Sequence, residues 1–211
     1  MTSTASLVDF ASTLETVETW LTEYISASHP EIGRTGPICP FVAPSRKNRT
    51  MEIRLRLAGH APTLDLIEEI ALSSLREYEL TTWQGRNPML RAMVVALPDL
   101  RGEDTGLLDQ AHARVKDVFV DQGLMIGQFH ENCEVTAARN SRFAVSRAPL
   151  PLFAIRAIAL HDVFFLSERP QWFRQYRERF GKFFGPGSTV MDPLLVEHYQ
   201  EAEQAFGGPP P

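Results

Sequence analysis

The chain has 211 residues, of which 44% are hydrophobic, so it can bury a substantial core, and we expect a single domain. A formal net charge of -5 and a sequence pI near 5.7 argue against a nucleic-acid-binding protein, which needs a basic surface to displace counterions from phosphates. No window approaches the roughly 18 apolar residues of a membrane span, and the first residues lack the basic and apolar regions of a signal peptide. We therefore expect a cytosolic protein that binds neither membranes nor nucleic acids.

The N-terminal third combines a helix, an irregular loop and a strand. Apolar residues recur at three- and four-residue steps over about residues 6 to 27, which predicts an amphipathic helix. Residues 31–45 hold two glycines, three prolines and a cysteine, a density that forbids regular structure while fixing a definite path. Residues 51–57 alternate apolar and charged side chains, the pattern of a strand with one buried face.

Helices and strands alternate in the middle of the chain. Thr63 can cap a helix with acidic residues in its first turns. Residues 90–97 are mostly apolar and predict an inner strand, and a further helix over about residues 107–119 ends before Gly123. The short strand predicted at 124–129 leads directly into a polar segment.

The C-terminal third is mainly helical in this interpretation. An extended piece at 143–146 precedes residues 152–166, whose spacing suits a helix, with a strand over 153–159 as the alternative. A clearer helix begins at Pro170, and a last helix runs from about residue 192 to 206 before a frayed tail.

The element order predicts an α+β fold, with a central, mostly antiparallel sheet covered by helices. We assign residues 1–28 to an N-terminal helix, 29–187 to the core domain, and 188–211 to a C-terminal helix with a disordered tail. No glycine-rich phosphate loop follows any strand, so a nucleotide-binding fold is not expected.

Two polar segments concentrate the side chains that can bind a metal ion or haem iron. The first contains His29 and Cys39, and the second contains His130 and Cys133. Thiolate and imidazole are ligands for soft or borderline metals and for haem iron. His130 and Cys133 are close enough in sequence to share a metal on a turn, but a closed zinc site would also need Cys39 and His29, and CxxC pairs are absent. A haem site needs fewer protein ligands than a zinc site, because one imidazole or thiolate suffices when apolar walls complete the site.

Each of these residues also has a structural interpretation. Cys39 could be a small packing residue beside Phe41, and His130 could be bonded by backbone carbonyls at a strand end. Cys133 fits packing better than ligation. Arg156 interrupts an apolar run, so it must either reach solvent or meet an anion such as a substrate carboxylate, a haem propionate or the side chain of Asp162.

Three segments carry a resemblance to a known family: residues 29–42 (HPEIGRTGPICPFV), 127–133 (GQFHENC) and 146–162 (SRAPLPLFAIRAIALHD). Over roughly residues 20 to 185 the chain resembles an uncharacterised bacterial family, a domain of unknown function common in actinomycetes and often found near specialised-metabolism genes. The Cys39-Pro40-Phe41 segment and the element order are also similar, more weakly, to the YcgG-like family, which includes haem-dependent N-hydroxylases of guanidine-containing amino acids. That second likeness implies haem.

These observations predict a haem-dependent oxygenase or N-oxygenase that acts on an amino acid or a related small-molecule intermediate of specialised metabolism. His130 or Cys39 would hold the iron, with His29 and Cys133 as further cofactor contacts, and Arg156 would bind a carboxylate of substrate or haem. The alternative is a non-catalytic protein that binds a small molecule or a partner. A third hypothesis, a hydrolase or transferase using a cysteine with His130, lacks a recognisable oxyanion loop and an orienting residue. An exposed helix face could support a homodimer.

Overall fold

The structure is a computed structural model, and it describes residues 9–185, 187 and 190–208. The α-helices in this part of the chain are α1 Phe10–Trp20, α2 Val42–Lys47, α3 Leu64–Leu80, α4 Gly106–Asp121, α5 Val163–Leu166, α6 Pro170–Phe180 and α7 Pro193–Phe206. The strands are β1 Met51–Leu55, β2 Ala92–Ala96, β3 Leu124–Phe129, β4 Thr136–Ala137, β5 Asn140–Ala144 and β6 Leu152–Ala157. These elements confirm the predicted α+β fold.

Both ends of the chain follow the predicted helices closely. Helix α1 is capped by Asp9, whose carboxylate accepts a hydrogen bond from the backbone of Ala11, and it continues as a π-helical turn over Leu21–Ile25. Residues 6–8 of the predicted first helix lie outside the described residues, as do residues 209–211 of the predicted tail. No helix in the described part of the chain has the length and apolarity needed to cross a membrane.

The main sheet has four strands in the order β1-β2-β6-β3. β1 and β2 are parallel, with Met51 opposite Ala92. β2 and β6 are antiparallel, with Ala92 opposite Arg156 and Ala96 opposite Leu152. The sheet is therefore mixed, and β4 and β5 form a separate two-stranded antiparallel sheet.

β3 lies beside β6 at the edge of the main sheet. The backbone of Ile158, just after β6, bonds to Gly123, just before β3, and Ala148, which precedes β6, bonds to His130, which follows β3. Links between opposite strand ends are those of an antiparallel pair. His130 therefore lies at the end of the sheet where β6 begins.

Residues 152–166 are the main difference from the predicted elements. The favoured helix is wrong: residues 152–157 form β6, and only Val163–Leu166 form a short helix. Leu152, Phe153 and Ile155 are at most 1% exposed, so side chains on both faces of this strand are buried. Continuous apolar runs of this kind cannot be assigned to helix or strand by periodicity.

The loop after α1 is ordered by local turns. Pro30–Ile32 form one 3-10 turn that is capped by His29, and α2 begins at Val42. Gly33 ends the turn at φ +76°, and a Cβ at this position would lie 2.8 Å from the Cβ of Arg139. Both the backbone conformation and the close approach require glycine here.

The residues group into two compact units, one of residues up to Lys116 together with Ile126–Arg156, and one of Asp117–Met125 together with Ala157 onward. In the first unit, α1 and its π-helical extension pack on one face of the sheet, through a cluster that includes Val17, Trp20, Leu21, Ile25, Val94, Ala96 and Leu152. The second unit has its own aromatic core, with Trp172, Phe173, Tyr176, Leu195 and Ala202 buried together. The domain boundaries drawn from the sequence stay a prediction.

Candidate metal centre

Three side chains with metal-binding groups converge where β3 ends. Asp109 lies in the first turn of α4, His130 follows β3 directly, and Cys133 closes the turn after it. One ligand atom from each side chain lies within 4.8 Å of the others. Carboxylate, imidazole and thiolate are the three ligand types that zinc takes in proteins.

His130 is the centre of this group, and its two ring nitrogens have different surroundings. The residue is 3% exposed, and Nε2 lies 3.1 Å from Oδ2 of Asp109. Nδ1 is buried and has no hydrogen-bond partner among the residues that the structure describes. A buried polar atom left unpaired costs about 1–3 kcal/mol, so it calls for a specific explanation such as an ion. An ion shared with Asp109 would instead bind Nε2, because only this ring nitrogen faces the carboxylate.

Asp109 is held from two sides while staying accessible to water. Its Oδ1 accepts a hydrogen bond of 3.1 Å from Nε2 of Gln128, and its Oδ2 faces His130. Gln128 is 8% exposed and belongs to β3, whereas the Asp109 side chain is 46% exposed. Buried groups thus orient the Asp109 carboxylate, and its exposed side gives solvent access to the cluster.

Cys133 is completely buried, with its Sγ 3.8 Å from the carbonyl of Gln128. Burial raises the pKa of this thiol above its ordinary value. A neutral, inaccessible thiol is a poor nucleophile, because the thiolate is the reactive form. Asp109 does supply the orienting residue that a cysteine-histidine enzyme needs, yet the burial of Cys133 argues against that chemistry. A bound cation would instead deprotonate the thiol.

The other polar segment lies elsewhere and is held by ordinary contacts. The Nδ1 atom of His29 accepts a hydrogen bond from the backbone of Glu31, and its ring stacks on Phe143 at 4.3 Å between centroids. Cys39 is half-buried, packs against the cluster beneath α1, and bonds through its backbone N–H to Ile25.

The sheet separates Cys39 from His130. Phe129 packs in the same cluster as Cys39 and contacts Trp20 edge to face at 5.3 Å. Successive side chains of a strand point to opposite faces, and Gln128 and His130, on either side of Phe129, both bond to Asp109. The structure therefore does not bring Cys39 beside His130.

Arg156 lies at the far end of the sheet from His130. It is four residues beyond Leu152, which marks the end nearest His130, a separation of roughly 13 Å at about 3.3 Å per residue. Its guanidinium lies over the ring of Phe41, 5.1 Å from the centroid. Arg156 is thus not part of the cluster of Asp109, His130 and Cys133.

The residues around His130 do not fit haem. A porphyrin needs one face pressed against the ligand atom and apolar walls around its edge. Here the imidazole is nearly inaccessible, and a carboxylate and a thiol lie within 4.8 Å of it. Ligand atoms this close together suit a single ion, so the cluster favours a metal ion over haem.

Comparison with known proteins gives one result. The model of the family described as Domain of unknown function (DUF6875) matches residues 14–189. The chain belongs to this family. The match confirms the resemblance to an uncharacterised domain family, and the likeness to the YcgG-like proteins stays a prediction. No curated protein and no solved structure matches the chain.

All three residues of the cluster lie within the DUF6875 segment, and the sequence pointed to two of them. Asp109 was missed, because an acidic residue in the first turn of a helix is ordinary. The signal that could have found it is the pair Gln128 and His130, which places two polar side chains on one face at the end of a largely buried strand. Such a face requires a polar partner on the helix that covers it.

Proposed function

We propose that this chain is a metal-dependent enzyme whose single metal ion is bound by Asp109, His130 and Cys133. The observation that supports this most strongly is the convergence of a carboxylate, an imidazole and a buried thiol, whose ligand atoms all lie within 4.8 Å of one another. A cation bound to these three side chains would stabilise both anions and would replace the contact between Nε2 of His130 and Asp109.

Zn²⁺ is the ion that this ligand set favours. A thiolate selects zinc over magnesium, calcium or manganese, which prefer oxygen ligands alone. Catalytic zinc sites have three protein ligands and one open position, whereas structural sites have four protein ligands. The exposed side of Asp109 gives that fourth position access to water or substrate.

The chain's own residues would position the ion and control what reaches it. Gln128 orients the Asp109 carboxylate by its hydrogen bond to Oδ1, and the burial of His130 and Cys133 excludes water from one side. A bound zinc ion supplies Lewis-acid chemistry, through a polarised carbonyl or an activated water. The proposed reaction class is therefore a hydrolysis or hydration.

A titration with Co²⁺, a coloured substitute for Zn²⁺, tests the proposal. We expect one equivalent to bind, with a near-ultraviolet thiolate-to-cobalt band that the Cys133→Ser variant loses. Cys39→Ser is the matched control, since it removes the other cysteine from outside the cluster, and it should keep the band.

His130→Ala and Asp109→Asn should each weaken cobalt binding at least tenfold. Absence of stoichiometric binding, or a band that depends on Cys39 instead, would contradict the proposal and favour the non-catalytic binding protein. Tight binding of Fe²⁺ in preference to Zn²⁺ at these ligands would contradict the assignment of zinc and favour a non-haem iron enzyme.

A further inference from the structure

Strand β1 lies at an edge of the main sheet, and one of its two sides has no partner strand. It pairs with β2, and no other strand in the described part of the chain pairs with it. The carbonyl of Thr50 and the backbone N–H of Arg56 both bond to β2, so the even-numbered residues of this segment face that neighbour. Alternate residues of a strand direct their backbone groups to opposite sides. The residues whose N–H and C=O groups point away from β2 are therefore Met51, Ile53 and Leu55.

Side-chain contacts show that these outer backbone groups can be reached by polar atoms. The guanidinium of Arg54 donates to the carbonyl of Ile53 at 3.2 Å, and that of Arg56 donates to the carbonyl of Leu55 at 3.0 Å. Unpaired backbone groups along a sheet edge are a template for pairing with another chain, and charged side chains are a common means of preventing this. The arrangement of the charges on β1 therefore decides which chains can pair with it.

Charged and apolar side chains of β1 lie on opposite faces of the sheet. Glu52 bonds to Arg54, and both Arg54 and Arg56 bond to Glu77 of α3. Two acidic and two basic side chains make up this group, so two copies brought together would not accumulate charge of one sign. The apolar side chains that pack on the other face, in the cluster beneath α1, are Met51, Ile53 and Leu55. Every residue of β1 is only partly buried, so both faces have area left to bury.

The charges favour one antiparallel register for two copies of β1. Two-fold pairings that overlap most of the strand are centred on residue 52, 53 or 54. A pairing centred on residue 52 places Glu52 opposite Glu52, and one centred on residue 54 places Arg54 opposite Arg54, which is unfavourable in both cases. A pairing centred on Ile53 places Glu52 opposite the partner's Arg54, at the non-hydrogen-bonded positions where side chains lie closest. Only this register is complementary in charge.

We propose that β1 is a homodimer interface, at which two copies of the chain pair antiparallel about Ile53 and join their four-stranded sheets into one. Pairing gives the outer backbone groups of β1 their missing partners, and it places each Glu52 beside the partner's Arg54. The strand has five residues, so the interface is small and we expect dissociation in the micromolar range. None of the three proposed metal ligands belongs to β1, so the inference does not depend on the proposed function.

Charge reversal followed by sedimentation velocity tests this interface. Glu52→Arg and Arg54→Glu each convert both opposite-charge pairs into like-charge pairs, so each should weaken the dimer about tenfold or more. An equimolar mixture of the two variants should recover the affinity of the unaltered protein. Positions 52 and 54 are then both basic in one copy and both acidic in the other, so every pair is again complementary. A loss of folding stability alone would not produce this recovery.

Glu178→Arg is the matched control, because it reverses an exposed carboxylate on α6 and should leave the dimer intact. A protein that is monomeric throughout the micromolar range would overturn the proposal. A dimer that neither β1 variant weakens, or a mixture that does not recover, would also overturn it.

Hydrogen exchange of the unaltered protein decides the matter if a variant fails to fold. The outer N–H groups of β1 should exchange more slowly as the protein concentration rises through the dissociation constant. Exchange that does not depend on concentration would overturn the proposal.

Discussion

His112 shows how strongly burial acts on a single residue of α4. Its Nε2 lies 3.0 Å from the carbonyl of Ile126, which is consistent with donation from a neutral imidazole. Burial lowers its pKa from 6.5 to about 4, and nearby Lys116 acts in the same direction. The protein therefore keeps His112 neutral throughout the physiological range.

The low pKa of His112 predicts a loss of stability in mild acid. Between pH 6.5 and about 4 the unfolded chain binds a proton at this residue that the folded chain does not bind, so the free energy of unfolding falls as the pH falls. The contribution of His112 to the free energy of unfolding is complete above about pH 6.5. The difference between its pKa values in the folded and unfolded chains corresponds to on the order of 3 kcal/mol. Urea unfolding of the metal-free protein across this range measures it.

The matched variants for this measurement are His112→Gln, which keeps a donor for Ile126, and His60→Gln at an exposed position. The His112→Gln variant should flatten the pH dependence of the free energy of unfolding between pH 4 and 6.5, and the His60→Gln variant should not. An unchanged slope in His112→Gln would contradict the assignment.

The two cysteines should differ in reactivity towards a thiol reagent. Cys133 is fully buried and burial raises its pKa, whereas Cys39 is half-buried. We expect iodoacetamide at pH 7.5 to label Cys39 of the folded protein first, and Cys133 only after unfolding. Mass spectrometry of time points resolves the two sites. Faster labelling of Cys133 would favour the cysteine-dependent enzyme instead.

The candidate site could be predicted only in part, for reasons visible at the residue scale. His130 and Cys133 are three residues apart, so local spacing suffices to bring them together. Asp109 is 21 residues before His130 on a different element, and its proximity depends on how α4 packs against β3. The separation of Cys39 from His130 could not be predicted either, because sequence spacing does not reveal on which face of a sheet a loop lies.

At the scale of elements, the turn that ends at Gly33 supports a direct test. Gly33→Ala would place a Cβ 2.8 Å from that of Arg139 and would also strain a left-handed backbone, so we expect a loss of more than about 1 kcal/mol in the free energy of unfolding. Urea unfolding at constant pH measures this loss.

Gly59 provides the matched control for Gly33, because its φ is +77° but no atom lies within 4 Å of the position that an added Cβ would take. Gly59→Ala should show the backbone strain alone, about 1 kcal/mol. Equal losses in the two variants would mean that the close approach to Arg139 adds nothing to the destabilisation of Gly33→Ala.

Strand direction was harder to predict than strand position. The connection between β1 and β2 contains α3, a helix of 17 residues. A helical crossover joins parallel strands, so the strand-helix-strand order was itself the signal for a parallel pair. β6 was ambiguous because its residues are apolar on both faces, which removes the alternation that distinguishes a half-buried strand.

At the scale of the whole molecule, each compact unit has its own buried core. The first contains most of the mixed sheet and the proposed metal centre, and the second is built from helical aromatic residues such as Trp172 and Tyr176. The α+β class followed from the sequence because the helices and strands alternate with short links. The division into these units did not, since both draw on separate stretches of the chain.

An anomalous difference map at the zinc edge, from crystals grown with Zn²⁺, is the sharpest test of the proposed metal centre. We expect one strong peak bonded to a carboxylate oxygen of Asp109, a ring nitrogen of His130 and Sγ of Cys133, at about 2.0–2.3 Å. Zinc bound only at surface residues, with none at these three side chains, would contradict the proposed centre.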